Sequence, residues 1–303
     1  MRLGIDVGGT NLKVGVFSDD GQELFFNEIL IKDIRTTGNL LQDILAYVKN
    51  TVNDYDITQG GLAVKGLVNK ETGILESDIG LAQEFEEINL KIAFGDYFSI
   101  PFQIENDARS YAWGEWLYGA GQKSKVMSCL TLGTGFGSAL IKDGKPFEGS
   151  DSLGGILGGH ISIDKNGPEC SCGNKGCLEL YCSATALKKR VLSALPDLGT
   201  ESDPVKVFFE KLRLGKSEGK IILEEFLDDL SIGIVNIVHA YGPDIIVLGG
   251  GVMRSDDLII PKINNLVAKR AWTVPKGKVL IVKAMLDNRA AVIGAAFLNQ
   301  IQA

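Results

Sequence analysis

The chain has 303 residues, about twice the ~150 of a typical domain, so two domains are expected. Hydrophobic residues make up 45% and charged residues 23%, which excludes a disordered or fibrous chain, and a net charge of −7 with no gathered block of Lys and Arg argues against a nucleic-acid partner. Met1-Arg2-Leu3-Gly4-Ile5-Asp6 is no secretory signal and no stretch approaches the ~18 apolar residues of a membrane span, so a cytoplasmic protein with no membrane association is expected.

The 37 glycines, about one residue in eight against a usual ~7%, are gathered in short runs, which signals tight turns and close approach of backbone to ligands. The first run, Gly8-Gly9-Thr10-Asn11, lies between Leu3–Val7 and a segment with apolar residues at Leu12, Val14 and Val16, so it reads as strand, turn, strand. A Walker loop or dinucleotide fingerprint requires a helix there instead. Leu40, Leu41, Ile44, Leu45, Val48 and Val52 predict a helix over 37–53 behind an Asn39 cap, and 61–64 reads as a buried strand. The hairpin pattern restarts at 126: strand to Leu132, turn Gly133-Thr134-Gly135, strand to Ile141. Helices are predicted at about 183–195, 203–214 and 220–241, then a strand over 244–248, a Gly249-Gly250-Gly251 turn and a helix at about 256–270. A strand over 279–283 and a last helix end the chain. The domains are expected at 1–118 and 119–287, hinged near Tyr118-Gly119-Ala120-Gly121, with the last helix, about 288–303, available to pack back on the first. Two halves that each open with a hairpin around a glycine turn resemble the α/β, two-domain, actin-like (ribonuclease-H-like) ATPase fold of sugar kinases and heat-shock ATPases.

Asp6 sets a carboxylate ahead of a turn whose backbone N–H groups can converge on one anion. Asp6 would hold Mg²⁺ through water, Gly9, Thr10 and Asn11 would meet the phosphates in a turn opened by Gly8, and Lys13 would add positive charge; a plain hairpin fits the segment equally well. Thr134 and Gly135 repeat the device in the second half, and Gly250 and Gly251 would admit an adenine or ribose, or merely loop into a helix. Glu105-Asn106-Asp107 precedes a helix carrying Ala108, Tyr111, Ala112 and Trp116. Asn106 or Asp107 suits an N-cap, and an ionised Asp107 at the positive end of a helix also suits a general base. His160 with Cys170, Cys172 and Cys177 forms a sulphur-rich set that suits a closed, structural Zn²⁺ site in a reducing compartment. Cys129 and Cys182 are ordinary core residues.

Cys170-Ser171-Cys172-Gly173-Asn174-Lys175-Gly176-Cys177-Leu178-Glu179 resembles the zinc signature of the ROK (repressor, open reading frame, kinase) family. The Asp6-to-Asn11 loop, Glu105-Asn106-Asp107-Ala108, Leu132-Gly133-Thr134-Gly135 and Gly249-Gly250-Gly251 follow the family's order, so the resemblance spans essentially the whole chain. It implies ATP- and Mg²⁺-dependent phosphorylation of a sugar, usually on its 6-hydroxyl, in a cleft between two domains. Asp107 would be the base, Asn106 and Glu179 would bind sugar hydroxyls, and His160 would both ligate zinc and touch the sugar. The resemblance also implies a homo-oligomer. Family repressors carry a DNA-binding helix-turn-helix ahead of the first strand, which here starts at residue 3.

Two departures from the family pattern bear on the substrate. The family's Glu-x-Gly-His reads Leu157-Gly158-Gly159-His160, with leucine where a carboxylate would grip the anomeric end of the sugar. A Pro-Gly pair of a sugar-side loop reads Lys65-Gly66, which adds a cation or faces solvent. A leucine at the anomeric end favours a glycoside, best matched by the β-glucoside kinases that act on cellobiose-type disaccharides. The alternatives are a glucokinase or N-acetylmannosamine kinase with Glu148 or Asp151 supplying the carboxylate, and a non-catalytic sugar sensor.

Overall fold

The structure is a computed structural model that describes residues 1–76, 84, 85, 87–149 and 155–301. The chain divides into two compact units, one of Met1–Lys123, Leu140–Ile156 and Met285–Ala303, the other of Ser124–Ala139 and Leu157–Ala284.

In the first unit β1 (Arg2–Val7) and β2 (Asn11–Phe17) form the antiparallel hairpin around the first glycine turn, and β3 (Glu23–Leu30) adds to the β2 edge. Leu12, Val14 and Val16 are fully buried on one face of β2, and Gly15 and Phe17 on the other are buried as well, so the alternation marks the strand while both faces are covered in its second half. A four-residue helix α1 (Ile31–Ile34) leads to α2 (Leu40–Thr51). Asn39 caps α2 by accepting the Gln42 N–H at 3.1 Å. Its buried stripe of Leu40, Leu41, Ile44, Leu45 and Val48 contributes about 1.5–3 kcal/mol per fully buried aliphatic side chain. Then follow β4 (Gln59–Val64), a short β5 (Val68–Asn69) and β6 (Ile74–Leu75) hairpin, α3 (Leu90–Phe98), β7 (Phe102–Asn106) and α4 (Asp107–Tyr118). The sheet order is β3-β2-β1-β4-β7, with β1, β4 and β7 parallel.

The second sheet repeats that order. β8 (Val126–Leu132), β9 (Phe136–Lys142), β10 (Lys145–Pro146), β11 (Ile245–Gly249) and β12 (Leu280–Lys283) run β10-β9-β8-β11-β12, with β8, β11 and β12 parallel. The segment from Leu140, within β9, counts with the first unit. The short α5 (Glu179–Cys182) precedes α6 (Ala184–Ala194), α7 (Pro204–Arg213), α8 (Lys220–Tyr241) and α9 (Asp256–Arg270), each within three residues of its expected bounds. Pro204 opens α7 behind an Asp203 cap, and Gly242 in the left-handed region ends α8. Leu178, Leu187, Phe226, Leu230, Ile234 and Leu248 belong to the core of this unit.

The last helix, α10 (Ala290–Ala296), is shorter than expected, because single turns of tighter 3₁₀ helix flank it at Asp287–Arg289 and Leu298–Gln300. It lies on the first unit's sheet so closely that a Cβ on Gly61 would stand 1.9 Å from the Ala295 carbonyl oxygen, and one on Gly4 2.0 Å from that of Val292. No helix among the described residues is long and apolar enough to cross a membrane.

Candidate active site

Three adjacent parallel strands of the first unit end at one level: Val7 pairs with Val64, and Val64 with Asn106. The glycine turn, the Lys65-Gly66 loop and Asp107 therefore leave the same edge of the sheet, the carboxyl edge at which α/β sheets bind ligands. Asp6 lies directly opposite Lys13 in the hairpin register, which gives an ion pair of 2.8 Å between Oδ2 and Nζ. Burial raises the Asp6 carboxyl above its ordinary 3.8 against the pull of Lys13. Asn11 Nδ2 donates to Glu28 at 2.5 Å, while its buried Oδ1 has no partner among the described residues. Among the described residues the Gly9 and Thr10 amides bond to no protein acceptor, and a Cβ on Gly9 would meet nothing within 4 Å. Neither internal packing nor a left-handed backbone explains that glycine.

Asn106 is the cap of α4, its Oδ1 accepting from the Ala108 and Arg109 amides at 3.0 and 3.1 Å. Its Nδ2 donates to the Gly66 carbonyl at 2.9 Å and to Asp107 Oδ1 at 3.0 Å. All four hydrogen-bonding positions of Asn106 are filled, so it binds a sugar hydroxyl only by exchanging one of these bonds. Asp107 Oδ1 also accepts from its neighbour's amide, Ala108 N, at 2.9 Å, and Oδ2 has no partner among the described residues. Burial first, and the Asp6 charge second, push the Asp107 carboxyl up to about 6, with Lys65 pulling the other way. Lys65 is itself exposed, and its pull is outweighed by burial and Asp6.

Glu105, 1% exposed, pairs with Lys70 and, at 3.5 Å, with Arg109; Lys70 also pairs with Glu148. Glu105 Oε1 takes the Asn106 N–H at 2.8 Å. Sequence reasoning missed this network, since nothing in the spacing of Lys70, Glu105 and Glu148 brings them together. It occupies Glu148, one of the two alternative carboxylates, and Asp151 lies outside the described residues.

In the second unit the two glycine turns stand at the carboxyl ends of neighbouring parallel strands, with Thr131 of β8 paired to Gly249 of β11. Gly250 has φ +88°, and a Cβ there would lie 2.5 Å from the Leu132 carbonyl oxygen, so its glycine is explained by packing of one turn on the other strand. Gly133 and Gly251 face open space. The Thr134 and Gly135 amides bond to no acceptor among the described residues. Glu179 Oε2 accepts the Phe136 N–H at 2.7 Å, and its Oε1 has no partner among the described residues.

The ligand atoms of His160, Cys170, Cys172 and Cys177 all lie within 4.8 Å of one another. His160 Nδ1 is 3.6 Å from Cys170 Sγ, and Cys172 and Cys177 Sγ are 3.6 Å apart. A tetrahedral zinc with Zn–S bonds of ~2.3 Å places two sulphurs ~3.8 Å apart, so the set fits that ion. Burial and the neighbouring thiols push Cys177 up to about 12. Gly173 and Gly176 adopt left-handed backbone angles that fold the loop tightly, and a Cβ on Gly176 would fall 1.8 Å from the Asp164 carbonyl oxygen. With Nδ1 turned to the sulphurs, the other ring nitrogen of His160 remains for a different partner. Leu157, three residues earlier, is 55% exposed. Cys129 and Cys182 are buried apart from the cluster.

Two sheets of one order, each with a glycine turn beyond a parallel strand end, define an actin-like, ribonuclease-H-like ATPase fold. The model of the ROK family matches residues 2–301, and the chain belongs to the ROK family. It is 28% identical to a glucokinase of Thermotoga maritima, over 97% of this chain and 95% of that protein. It is 30% identical to an N-acetyl-D-glucosamine kinase of Aliivibrio fischeri, over 99% of each. Among solved structures it is similar to a ROK family glucokinase from Streptomyces griseus in complex with glucose and AMPPNP, with a TM-score of 0.82, 26% identity and 98% of each chain covered. The chain is a sugar kinase of this family.

Proposed function

We propose that this kinase transfers the γ-phosphoryl group of ATP to the 6-hydroxyl of a β-glucoside of the cellobiose type, with Asp107 as general base. The observation that carries the base assignment is the unlike pair of Asp107 oxygens. Oδ1 is held by Asn106 and Ala108 N, while Oδ2 has no partner among the described residues, on a carboxyl raised to about 6, close to the pH at which it has to accept a proton. Oδ2 takes the hydroxyl proton as the sugar oxygen bonds to the γ-phosphorus and the bond to the leaving ADP breaks.

Asn106 orients that carboxylate and ties it to Gly66. The open Gly9 and Thr10 amides supply phosphate contacts, with Lys13 adding charge, and the Thr134 and Gly135 amides offer a second set of donors of the same kind. Gly250 and Gly251 border the nucleoside. Mg²⁺, held by Asp6 through water, neutralises phosphate charge when bound. His160, Cys170, Cys172 and Cys177 hold a structural Zn²⁺, and Glu179 Oε1 and the free ring nitrogen of His160 face the sugar.

The β-glucoside preference rests on Leu157, whose exposed side chain offers apolar surface to an aglycone where family members place a carboxylate. Losing one or two hydrogen bonds to a charged group, about 1.5–3 kcal/mol each, weakens a free hexose by about 10- to 100-fold or more. The names of the relatives favour a free hexose instead. ADP release with Mg-ATP against glucose, N-acetylmannosamine, methyl β-glucoside, cellobiose and gentiobiose separates the two. Fastest turnover of the β-glucosides is expected; fastest turnover of a free hexose rejects the glycoside and keeps the kinase, and silence on every sugar rejects the proposed transfer. Leu157→Glu should raise the glucose-to-cellobiose activity ratio about 10-fold or more, and an unchanged ratio removes Leu157 from the choice.

A further inference from the structure

Three hydrogen bonds hold the Gly133-Thr134-Gly135 turn from outside, and all three come from the short stretch 179–185, which begins two residues after Cys177. Glu179 Oε2 accepts from Phe136 N at 2.7 Å, Ala184 N donates to the Gly133 carbonyl at 2.7 Å, and Thr185 Oγ1 donates to the Thr134 carbonyl at 2.7 Å. The turn adds one bond of its own, Gly133 N to the Gly135 carbonyl at 3.0 Å. A Cβ on Gly135 would stand 2.6 Å from Glu179 Oε2, so the carboxylate occupies the space a side chain there would fill.

The clasp takes the Gly133 and Thr134 carbonyls and the strand-side amide of Phe136, and it leaves the Thr134 and Gly135 amides without an acceptor among the described residues. Fixing the carbonyls fixes the peptide planes, and with them the direction of the two free amides. The stretch is itself anchored: Ser183 caps α6 through the Ala186 N–H at 3.1 Å, and Leu178 and Leu187, flanking it, are fully buried.

We infer that Thr185 and Glu179 are positioning residues for the nucleotide, acting through the Gly133–Gly135 turn, and that Thr185 sets ATP affinity without touching metal or sugar. The inference rests on the kinase function proposed above. It gives the two Glu179 oxygens separate tasks, Oε2 on the turn and Oε1 toward the substrate.

Thr185 is exposed and lies outside the core, so Thr185→Val removes one hydroxyl without disturbing the fold. One such hydrogen bond, at about 0.5–1.5 kcal/mol net, corresponds to a rise of about 2- to 13-fold in the Kd of Mg-AMPPNP by calorimetry on the full chain. The melting temperature and zinc content should not change, and Thr185→Ser, which keeps the hydroxyl, should restore the affinity. An unchanged Kd in Thr185→Val overturns the inference, as does a weakened Kd that Thr185→Ser fails to restore or that comes with a loss of thermal stability. A wild-type chain that binds no Mg-AMPPNP overturns the kinase function and this inference with it.

Discussion

Asp107 combines two requirements that pull its proton in opposite directions. Burial and the Asp6 charge raise its pKa from 3.8 to about 6, so folding favours the protonated form. Its contribution to stability is complete below the unfolded value and is lost as pH rises through about 6, whereas a general base works only above that point. The acid limb of kcat/KM should therefore fall at about pH 6, and Lys65→Met, which removes a charge that lowers this pKa, should move the limb to higher pH. A limb that stays in place would take Lys65 out of the site. Asp107→Asn should cost about 10²- to 10⁴-fold in kcat, measured by ADP release; near-normal turnover would remove Asp107 as the base. Asp107 and its Asn106 cap were legible in the sequence because a helix start leaves a local signature. The Lys70, Glu105 and Glu148 network was not, since residues 78 positions apart meet only through tertiary structure.

At the scale of elements, the metal loop shows how little regular structure a site of this kind requires. Between His160 and Glu179 the described backbone has no regular helix or strand; it is held by two isolated bridges, Ser162 with Cys177 and Glu169 with Lys175, by turn bonds such as Ile163 N to the Gly176 carbonyl and Gly176 N to the Pro168 carbonyl, both 2.8 Å, and by left-handed glycines. In the proposed zinc site the ion would join the separate turns that carry the four ligands, so its binding would add to the folding free energy of the loop. A chelator should release one zinc per chain, lower the melting temperature and open residues 162–177 to protease; an unaltered melting curve with the metal gone would contradict the structural role. The amphipathic helices were legible because their apolar stripes face a core. β3 was not, since its residues are exposed or only partly buried and show no alternation. Nor were α3 and β7: α3 is apolar over more than one face, and β7 is a short run hidden between two helices.

Across the whole molecule, the repeated hairpin pattern in the sequence corresponds to two sheets of identical strand order, so local periodicity carried most of the architecture. The grouping of residues 140–156 with the first unit has no such marker, because it depends on which core each segment joins. The seat of α10 is tightest at Gly61, where a Cβ would meet backbone rather than a movable side chain. Gly61→Ala should lower stability by about 1–3 kcal/mol in denaturant unfolding, whereas Gly9→Ala, with nothing within 4 Å, should leave the midpoint unchanged. Equal effects at the two positions would contradict the packing account.

The position of α10 also bears on how the protein is made. The first strands leave the ribosome with Gly4 and Gly61 facing a partner encoded more than 200 residues later, at Ala290–Ala296. The second unit, by contrast, has all its strands and helices once residue 284 has emerged. Order of synthesis is thus the reverse of order of completion: the amino-terminal sheet waits with its glycine-lined face uncovered until Ala290–Ala296 has been made, and a chain cut before that helix leaves the older half of the molecule unfinished.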